Sequence, residues 1–293
     1  MNIARQIASL ARPFYSLEFF PPKEEKDWPA FFATVEQLRA IRPLFASVTY
    51  GAGGSTQNAT LALAEKLRAM RLETMVHLTC VGADGAKIAA FLRDLRAAGV
   101  ENVLALRGDP PAGRSVDWDK APFRHAVDLV RFVREQDPSM GLAVAGYPAA
   151  HPESATFSAD REHTCEKIRA GAEFVITQLF FDVREYEDFV RHLRAQGITA
   201  PVIPGVLPIQ SLESIRRILS LCGANIPGKL YLELEAANER GGADAVKEAG
   251  IAFAVRQIKR LLDFGAPGIH LYTLNKASTC LRIVEEAGYM EKR

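Results

Sequence analysis

Polar side chains recur where apolar runs of this chain end. Glu18 follows Leu17 and precedes Phe19 and Phe20, Thr49 closes the run from Phe45, and His77 lies between Val76 and Leu78. Asp109 follows LALRG, Tyr147 and His151 follow the run Leu142 to Ala145, Gln178 follows FVIT, and Tyr272 and Asn275 close the last run. Groups of these types move protons, hold charge and orient polar ligands. Glu18, with apolar neighbours on both sides, suits a carboxyl that keeps a proton and gives it up as a general acid. Asp109, beside Arg107 on a Gly108 turn, suits a carboxylate that stays ionised and steadies a cation. The Gln178 amide both donates and accepts, and it ends a buried strand. Each has a plainer reading as well. Glu18 can be a strand-end charge paired with an arginine, His77 a core histidine, Thr49 a strand threonine. Asp109 before Pro110 can be a turn residue, and Gln178 an amide satisfied by loop backbone. Their convergence is what favours a site.

Convergence needs elements that bring these ends together. Strand patterns run Tyr15–Phe20, Phe45–Thr49, Met75–Thr79, Asn102–Ala105, Leu142–Ala145, Phe174–Thr177, Val202–Pro204 and Gly268–Tyr272. Helical patterns such as Ala59–Met70, Lys87–Ala98, Ala126–Glu135 and Ser211–Leu221 lie between them, and Gly99, Gly171 and Gly197 mark helix ends. Eight strands alternating with helices in 293 residues predict an α/β fold, a (β/α)8 TIM barrel, with an extra N-terminal helix over Asn2–Leu10. All the strand-end residues then share one mouth. A doubly wound sheet would need a phosphate fingerprint, but after Gly51 and Gly53 the third glycine position is Thr56. No linker or repeat divides the chain, so residues 1–293 read as one domain. At 48% hydrophobic and 24% charged residues the composition is globular. A net charge of +1 without long runs of either sign suggests neither a nucleic-acid groove nor a membrane surface. No apolar run reaches the roughly 18 residues of a membrane span, and no secretory pattern opens the chain. Cys80, Cys165, Cys222 and Cys280 are widely spaced, which predicts reduced thiols, no metal site and a cytoplasmic protein.

The blocks LEFFPP (17–22), SVTYGAGG (47–54), HLTC (77–80), LALRGDPP (104–111), AGYPAAHPE (145–153), ITQLFFD (176–182), IPGVLPIQ (203–210) and HLYTLN (270–275) resemble methylenetetrahydrofolate reductase. They come in the family's order. The resemblance implies a flavin-dependent barrel that passes a hydride from NADH or NADPH to FAD and on to 5,10-methylenetetrahydrofolate, in either direction in the cell. It implies one catalytic barrel without a C-terminal regulatory domain. Opening the folate ring makes a cation at N5 and needs a proton at N10, so the resemblance assigns Glu18 as donor and Asp109 to the flavin and pterin. Gln178 would bond the pterin and the nicotinamide by turns on one flavin face, a ping-pong scheme. The FAD site maps to Thr49, Tyr50, Ala52, His77, Arg107, Gly108, Asp109, His125, Ala126, Tyr147, His151, Asp160, His163 and Lys167. The last three share one helix face at i, i+3, i+7 and also read as a solvated face. Phe181, Tyr272 and Lys276 would join Glu18, Asp109 and Gln178 at the substrate.

Three positions depart from the family's bacterial pattern: His125 replaces a tyrosine, Glu166 a basic residue, and Lys276 an arginine near the folate tail. Apolar helix surfaces suggest a homo-oligomer. Two other functions share the barrel: a flavin-independent folate methyltransferase or lyase, and a non-catalytic folate-binding protein.

Overall fold

The structure, a computed structural model, describes residues 1–22, 24–49, 57–110, 113 and 116–288. Its strands are β1 (Phe14–Phe19), β2 (Ala46–Val48), β3 (Thr74–Thr79), β4 (Asn102–Leu106), β5 (Gly141–Gly146), β6 (Phe174–Thr177), β7 (Val202–Ile203), β8 (Gly205–Val206) and β9 (Gly268–Tyr272). The helices are α1 (Ile3–Ser9), α2 (Trp28–Leu38), α3 (Gln57–Ala69), α4 (Gly85–Ala97), α5 (Ala126–Gln136), α6 (Phe157–Arg169), α7 (Val183–Ala195), α8 (Leu212–Cys222), α9 (Gly228–Asp263) and α10 (Ala277–Ala287). The strands pair in parallel, in the order β7-β6-β5-β4-β3-β2-β1-β9-β8.

β7 and β8 are two halves of one barrel strand. Pro204 separates them because it has no N–H to give to a ladder. Val202 and Ile203 pair with β6, while Gly205 and Val206 pair with β9. The ring therefore closes, and the eight expected barrel strands are present. The expected strand Val202–Pro204 is corrected to this split form. Side chains stitch the seam. The Gly205 N–H donates to Thr177 Oγ1 at 2.9 Å, and the Tyr272 hydroxyl donates to the Thr177 carbonyl at 2.7 Å. Only glycine fits beneath that ring, since a Cβ at 205 would lie 2.6 Å from Tyr272 Cε2.

Alternation divides each strand between two environments. Leu17, Phe19, Val48, Val76 and Val103 join the apolar layer beneath the helices. Phe14, Phe45, Met75, Leu104, Phe174 and Ile203 form a separate inner cluster with Ile3 and Ile7 of α1. The N-terminal helix is thus a plug in the lower end of the barrel. Asn102 holds it there, with Oδ1 accepting from the Ile3 N–H and Nδ2 donating to the Met1 carbonyl, both at 2.9 Å. Burying each isoleucine contributes about 1.5–3 kcal/mol.

α9 is not one rod. Arg256 lies 3.4 Å from Glu233, 23 residues earlier. A straight helix would separate them by about 35 Å. The chain reverses at Gly241 and Gly242, whose backbone is non-helical. Gly242, at φ 61° and ψ −148°, occupies a region open essentially to glycine alone. The second arm packs Ile251, Ala254, Ile258 and Leu261 into the barrel's outer layer. The first arm joins α8, setting Leu230 and Leu234 against Leu179, Phe181, Leu207 and Ile209. This raises a wall beside the ends of β6 and β8.

Candidate active site

Towards the strand C-termini the inward residues turn polar. Ser16 and Glu18 of β1 stand in register with His270 and Tyr272 of β9. Glu18 Oε2 lies 3.4 Å from His270 Nε2, aligned for a hydrogen bond. It lies 3.4 Å from His77 Nε2 as well. That nitrogen is buried and has no hydrogen-bond partner among the described residues. Ser16 Oγ is 2.8 Å from His270 Nδ1, and Ser47 Oγ is 3.5 Å from His270 Nε2. Glu18, His77, His270, Ser16 and Ser47 are all buried. His270 stacks on Phe45 with centroids 6.0 Å apart. Burial holds the His77 imidazole below the ordinary histidine range, against the nearby Glu18 carboxyl, and His270 adds to the lowering.

This corrects the expected apolar setting of Glu18. Leu17 and Phe19 are its neighbours in sequence, but they point outward into the helix layer. Glu18 itself faces two imidazoles. Its backbone is clamped from the other side of the seam. The Glu18 carbonyl accepts from Thr273 Oγ1 at 2.6 Å and from Thr273 N at 3.2 Å. Asn275 accepts from Phe20 N at 3.2 Å and donates to Phe20 O at 2.8 Å. Leu274 and Asn275 adopt left-handed backbone, φ 48° and 54°, to make that return.

The residues expected around a cofactor fall into several settings. Tyr50 and Ala52 lie outside the described residues. Thr49 is buried at the end of β2's run. Arg107 does not bond Asp109, as its position in sequence suggested. It makes a two-pronged pair with Glu153 at 2.6 and 3.0 Å and stacks 4.8 Å over Trp118, while Asp109 is exposed. Gly108 has φ 82°, and a Cβ there would meet Val81 at 2.8 Å and Thr79 at 2.9 Å. Burial first, then Asp160 and Asp109, pushes the Tyr147 phenol up to about 12. Its ring meets His151 edge-on at 4.9 Å. The His151 Nδ1 accepts from Glu153 N at 3.1 Å, so in the neutral ring the proton sits on Nε2. His125 is exposed at the N-cap of α5, just before Ala126, and stacks on His163 at 6.2 Å and 13°.

The α6 face is less open than its spacing implies. His163 is exposed, but Asp160 and Lys167 are buried. Asp160 Oδ1 accepts from Ser154 Oγ at 3.0 Å, and Oδ2 has no partner among the described residues. Lys167 Nζ donates to the Ala145 carbonyl at 2.5 Å. Burial lowers its ammonium to about 8, against the pull of Asp160. The solvated-face reading is thereby corrected for Asp160 and Lys167.

Gln178 Oε1 accepts from Leu179 N at 2.9 Å, so half of its amide is satisfied by loop backbone. Its nitrogen has no partner among the described residues. Phe181 is only 3% exposed and sits in the wall against Phe253, 6.2 Å away. Tyr272 spends its hydroxyl on the seam, and Lys276 is exposed at the start of α10. A cavity of about 750 Å³ opens outside the barrel between the start of α7 and the two arms of α9. Arg184 pairs with Asp182 there, and Arg256 with Glu233. Among the described residues no group of His, Cys, Asp or Glu could hold a metal ion, and no helix is long and apolar enough to cross a membrane.

Ser16, Ser47 and His270 escaped the sequence reading, which looked only at strand ends. The signal was present: each lies two residues before an expected site residue, on the same strand face.

The fold and this polar mouth define a parallel α/β barrel built for a polar ligand, and sequence comparison places it. The family model for methylenetetrahydrofolate reductase matches residues 3–288. The 5,10-methylenetetrahydrofolate reductase of Salmonella typhimurium is 32% identical over 274 residues, covering 93% of this chain and 90% of that protein. The chain belongs to the methylenetetrahydrofolate reductase family. A probable methylenetetrahydrofolate reductase (NADH) from Oryza sativa subsp. japonica is 37% identical over 98% of this chain. A probable methylenetetrahydrofolate reductase (NADPH) from Caenorhabditis elegans is 38% identical over 94%. The chain spans 50% of the rice protein and 42% of the nematode protein. A solved Clostridium thermocellum protein, described as binding two copies of 5-methyl-5,6,7,8-tetrahydrofolic acid, shares the fold. Its TM-score is 0.67 at 14% identity, with 97% of each chain covered.

Proposed function

We propose that this chain reduces 5,10-methylenetetrahydrofolate to 5-methyltetrahydrofolate, using FAD and NADH or NADPH in a ping-pong exchange. The observation that carries the reading is a buried carboxyl, Glu18, held at the barrel mouth against two imidazoles, in a chain of this family. The residues present fit FAD. Asp160 Oδ2 and His77 Nε2 are buried polar atoms without partners among the described residues, beside the mouth and ready for a ligand's polar edge. Bound FAD would relay the hydride between nicotinamide and folate. Asp160 would accept from a ribose hydroxyl, and a diphosphate near α6 would favour the charged form of Lys167. Thr49, Tyr50, Ala52, His77, Arg107, Gly108, Asp109, His125, Ala126, Tyr147, His151 and His163 would complete the cradle. Glu18 gives its proton to the folate N10 as the ring opens. Asp109, exposed beyond β4, steadies the cation. Gln178 offers its amide nitrogen to pterin and nicotinamide in turn. Phe181 backs the wall, and Tyr272 and Lys276 border the folate. The reading takes the protein as a cytoplasmic homo-oligomer.

The test is an absorbance spectrum of the purified protein supplied with FAD. Anaerobic NADH or NADPH should bleach the flavin bands, and 5,10-methylenetetrahydrofolate should restore them. Failure to retain flavin, or bleaching that the folate does not reverse, would overturn the reading.

A further inference from the structure

We propose that Thr273 and Asn275 are positioning residues: the return after β9 pins the end of β1 and so sets the Glu18 carboxyl for the folate half-reaction. This rests on the reading of Glu18 as proton donor. The β1–β9 ladder ends with Glu18 opposite Tyr272. Beyond it the chain of β1 runs through Phe20 into Pro21 and Pro22. Neither proline has an N–H to continue a ladder, so side chains take over. Thr273 Oγ1 donates to the Glu18 carbonyl at 2.6 Å, and Asn275 holds both backbone groups of Phe20 at 3.2 and 2.8 Å. From the opposite neighbour, Thr49 N donates to the Phe19 carbonyl at 3.1 Å. Three successive carbonyls of β1's end are thereby fixed.

Donor and acceptor roles in this clamp admit one assignment. A backbone N–H only donates and a backbone carbonyl only accepts. The Asn275 amide therefore turns Oδ1 to Phe20 N and Nδ2 to Phe20 O. Asn275 N donates to Thr273 Oγ1 at 3.1 Å, so the single hydroxyl hydrogen goes to Glu18. The return is also strained. Leu274 and Asn275 are consecutive left-handed residues, a conformation that asparagine tolerates and leucine rarely adopts. Such backbone persists where its surroundings over-determine it. Three anchors do so here: Thr273 on Glu18, Asn275 on Phe20, and Leu274 packed on the wall that holds Leu207 and Ile209. Thr273 is fully buried and Asn275 half-buried. Their hydrogen bonds end on the backbone of β1, so they act through Glu18. Because a misplacement of about 1 Å can slow a reaction about 10²-fold, the fixing of that backbone bears on rate.

Two opposed substitutions at Thr273 test this. Thr273→Val keeps the shape and removes the hydroxyl; Thr273→Ser keeps the hydroxyl and removes a methyl group. In FAD-loaded protein, Thr273→Val should slow flavin reoxidation by 5,10-methylenetetrahydrofolate about tenfold, the effect of one lost buried bond. Bleaching by NADH or NADPH should stay within about twofold, and Thr273→Ser should match the parent in both steps. A packing role predicts the reverse order, and either that order or an unchanged Thr273→Val overturns the proposal. Asn275→Gly suits the left-handed backbone and removes both amide bonds, so it repeats the test should Thr273→Val not fold. It should slow the same step by about tenfold. In flavin-free Asn275→Gly the Phe20 amide should also exchange its hydrogen about tenfold faster or more, and equal protection overturns the clamp. Added to Glu18→Gln, Thr273→Val should cost less than about twofold further. A full tenfold loss there would show that Thr273 acts elsewhere, which sinks the proposal and leaves the acid reading standing. If Glu18→Gln itself reduces folate normally, the acid reading fails and this proposal falls with it.

Discussion

The two halves of the barrel interior are built from the same strands and differ by one step of two residues. In β1 the inward series runs Phe14, Ser16, Glu18, and in β9 it runs Gly268, His270, Tyr272. The lower members pack Phe14, Phe45, Met75 and Phe174 against the α1 plug. The upper members hold a buried carboxyl between two imidazoles. The lower half gains from removing apolar surface from water. The upper half keeps polar atoms out of water, and His77 Nε2 has no partner among the described residues; such burial costs stability. The same frame thus sets a stabilising floor beneath a costly polar layer.

Substitutions should separate the two halves. Glu18→Gln keeps shape and removes the acid. Folate reduction should fall by about 10²–10⁴. Nicotinamide oxidation by an artificial acceptor should persist, and equal loss of both would refute the division. Phe174→Ala strikes the floor instead. Urea unfolding should show a loss of about 3–5 kcal/mol. Folate turnover per folded molecule should stay within about twofold, and a selective catalytic defect would break the comparison.

Lys167 tests the cost of burying charge. Its folded ammonium titrates near 8 and the unfolded one near 10.5. Between those values the unfolded chain binds more protons, so stability rises with pH through that window. Below about 8 the penalty is constant. Lys167→Met should flatten the rise. At pH 7 it should stabilise flavin-free protein by about 1–3 kcal/mol, the Ala145 carbonyl losing its partner. It should also weaken FAD retention on gel filtration. Unchanged unfolding curves at pH 7 and 10 would contradict the assignment. The smallest effect is expected at Gln178→Ala, about tenfold on each half-reaction for one lost donor. Rates within about twofold of the parent in stopped flow would leave Gln178 as a backbone cap.

Much of this was readable in advance because short-range rules governed it. Gly99, Gly171 and Gly197 stop their helices with positive φ, as their places after Ala98, Ala170 and Gln196 imply. Glu18 and His77, read as strand-end residues of a barrel, meet at one mouth because the barrel gathers its strand C-termini. Contacts distant in sequence were hidden. Arg107 chose Glu153 over its neighbour Asp109, because loop geometry decides such pairs. Lys167 shares a helix face with His163, yet the strand beneath it captures its amine. The fold-back at Gly241–Gly242 reads locally as a helix breaker, and nothing local announces that the chain returns along itself.

The split strand has one more consequence. A closed sheet has no free margin on which another chain can build, and this one is sealed at Thr177, Gly205 and Tyr272 largely by side chains. Were it to open there, the newly bared margin would carry Pro204 at its middle. That residue offers no donor and interrupts any run of pairing longer than two residues on either side. The split strand is thus a poor template for aggregation.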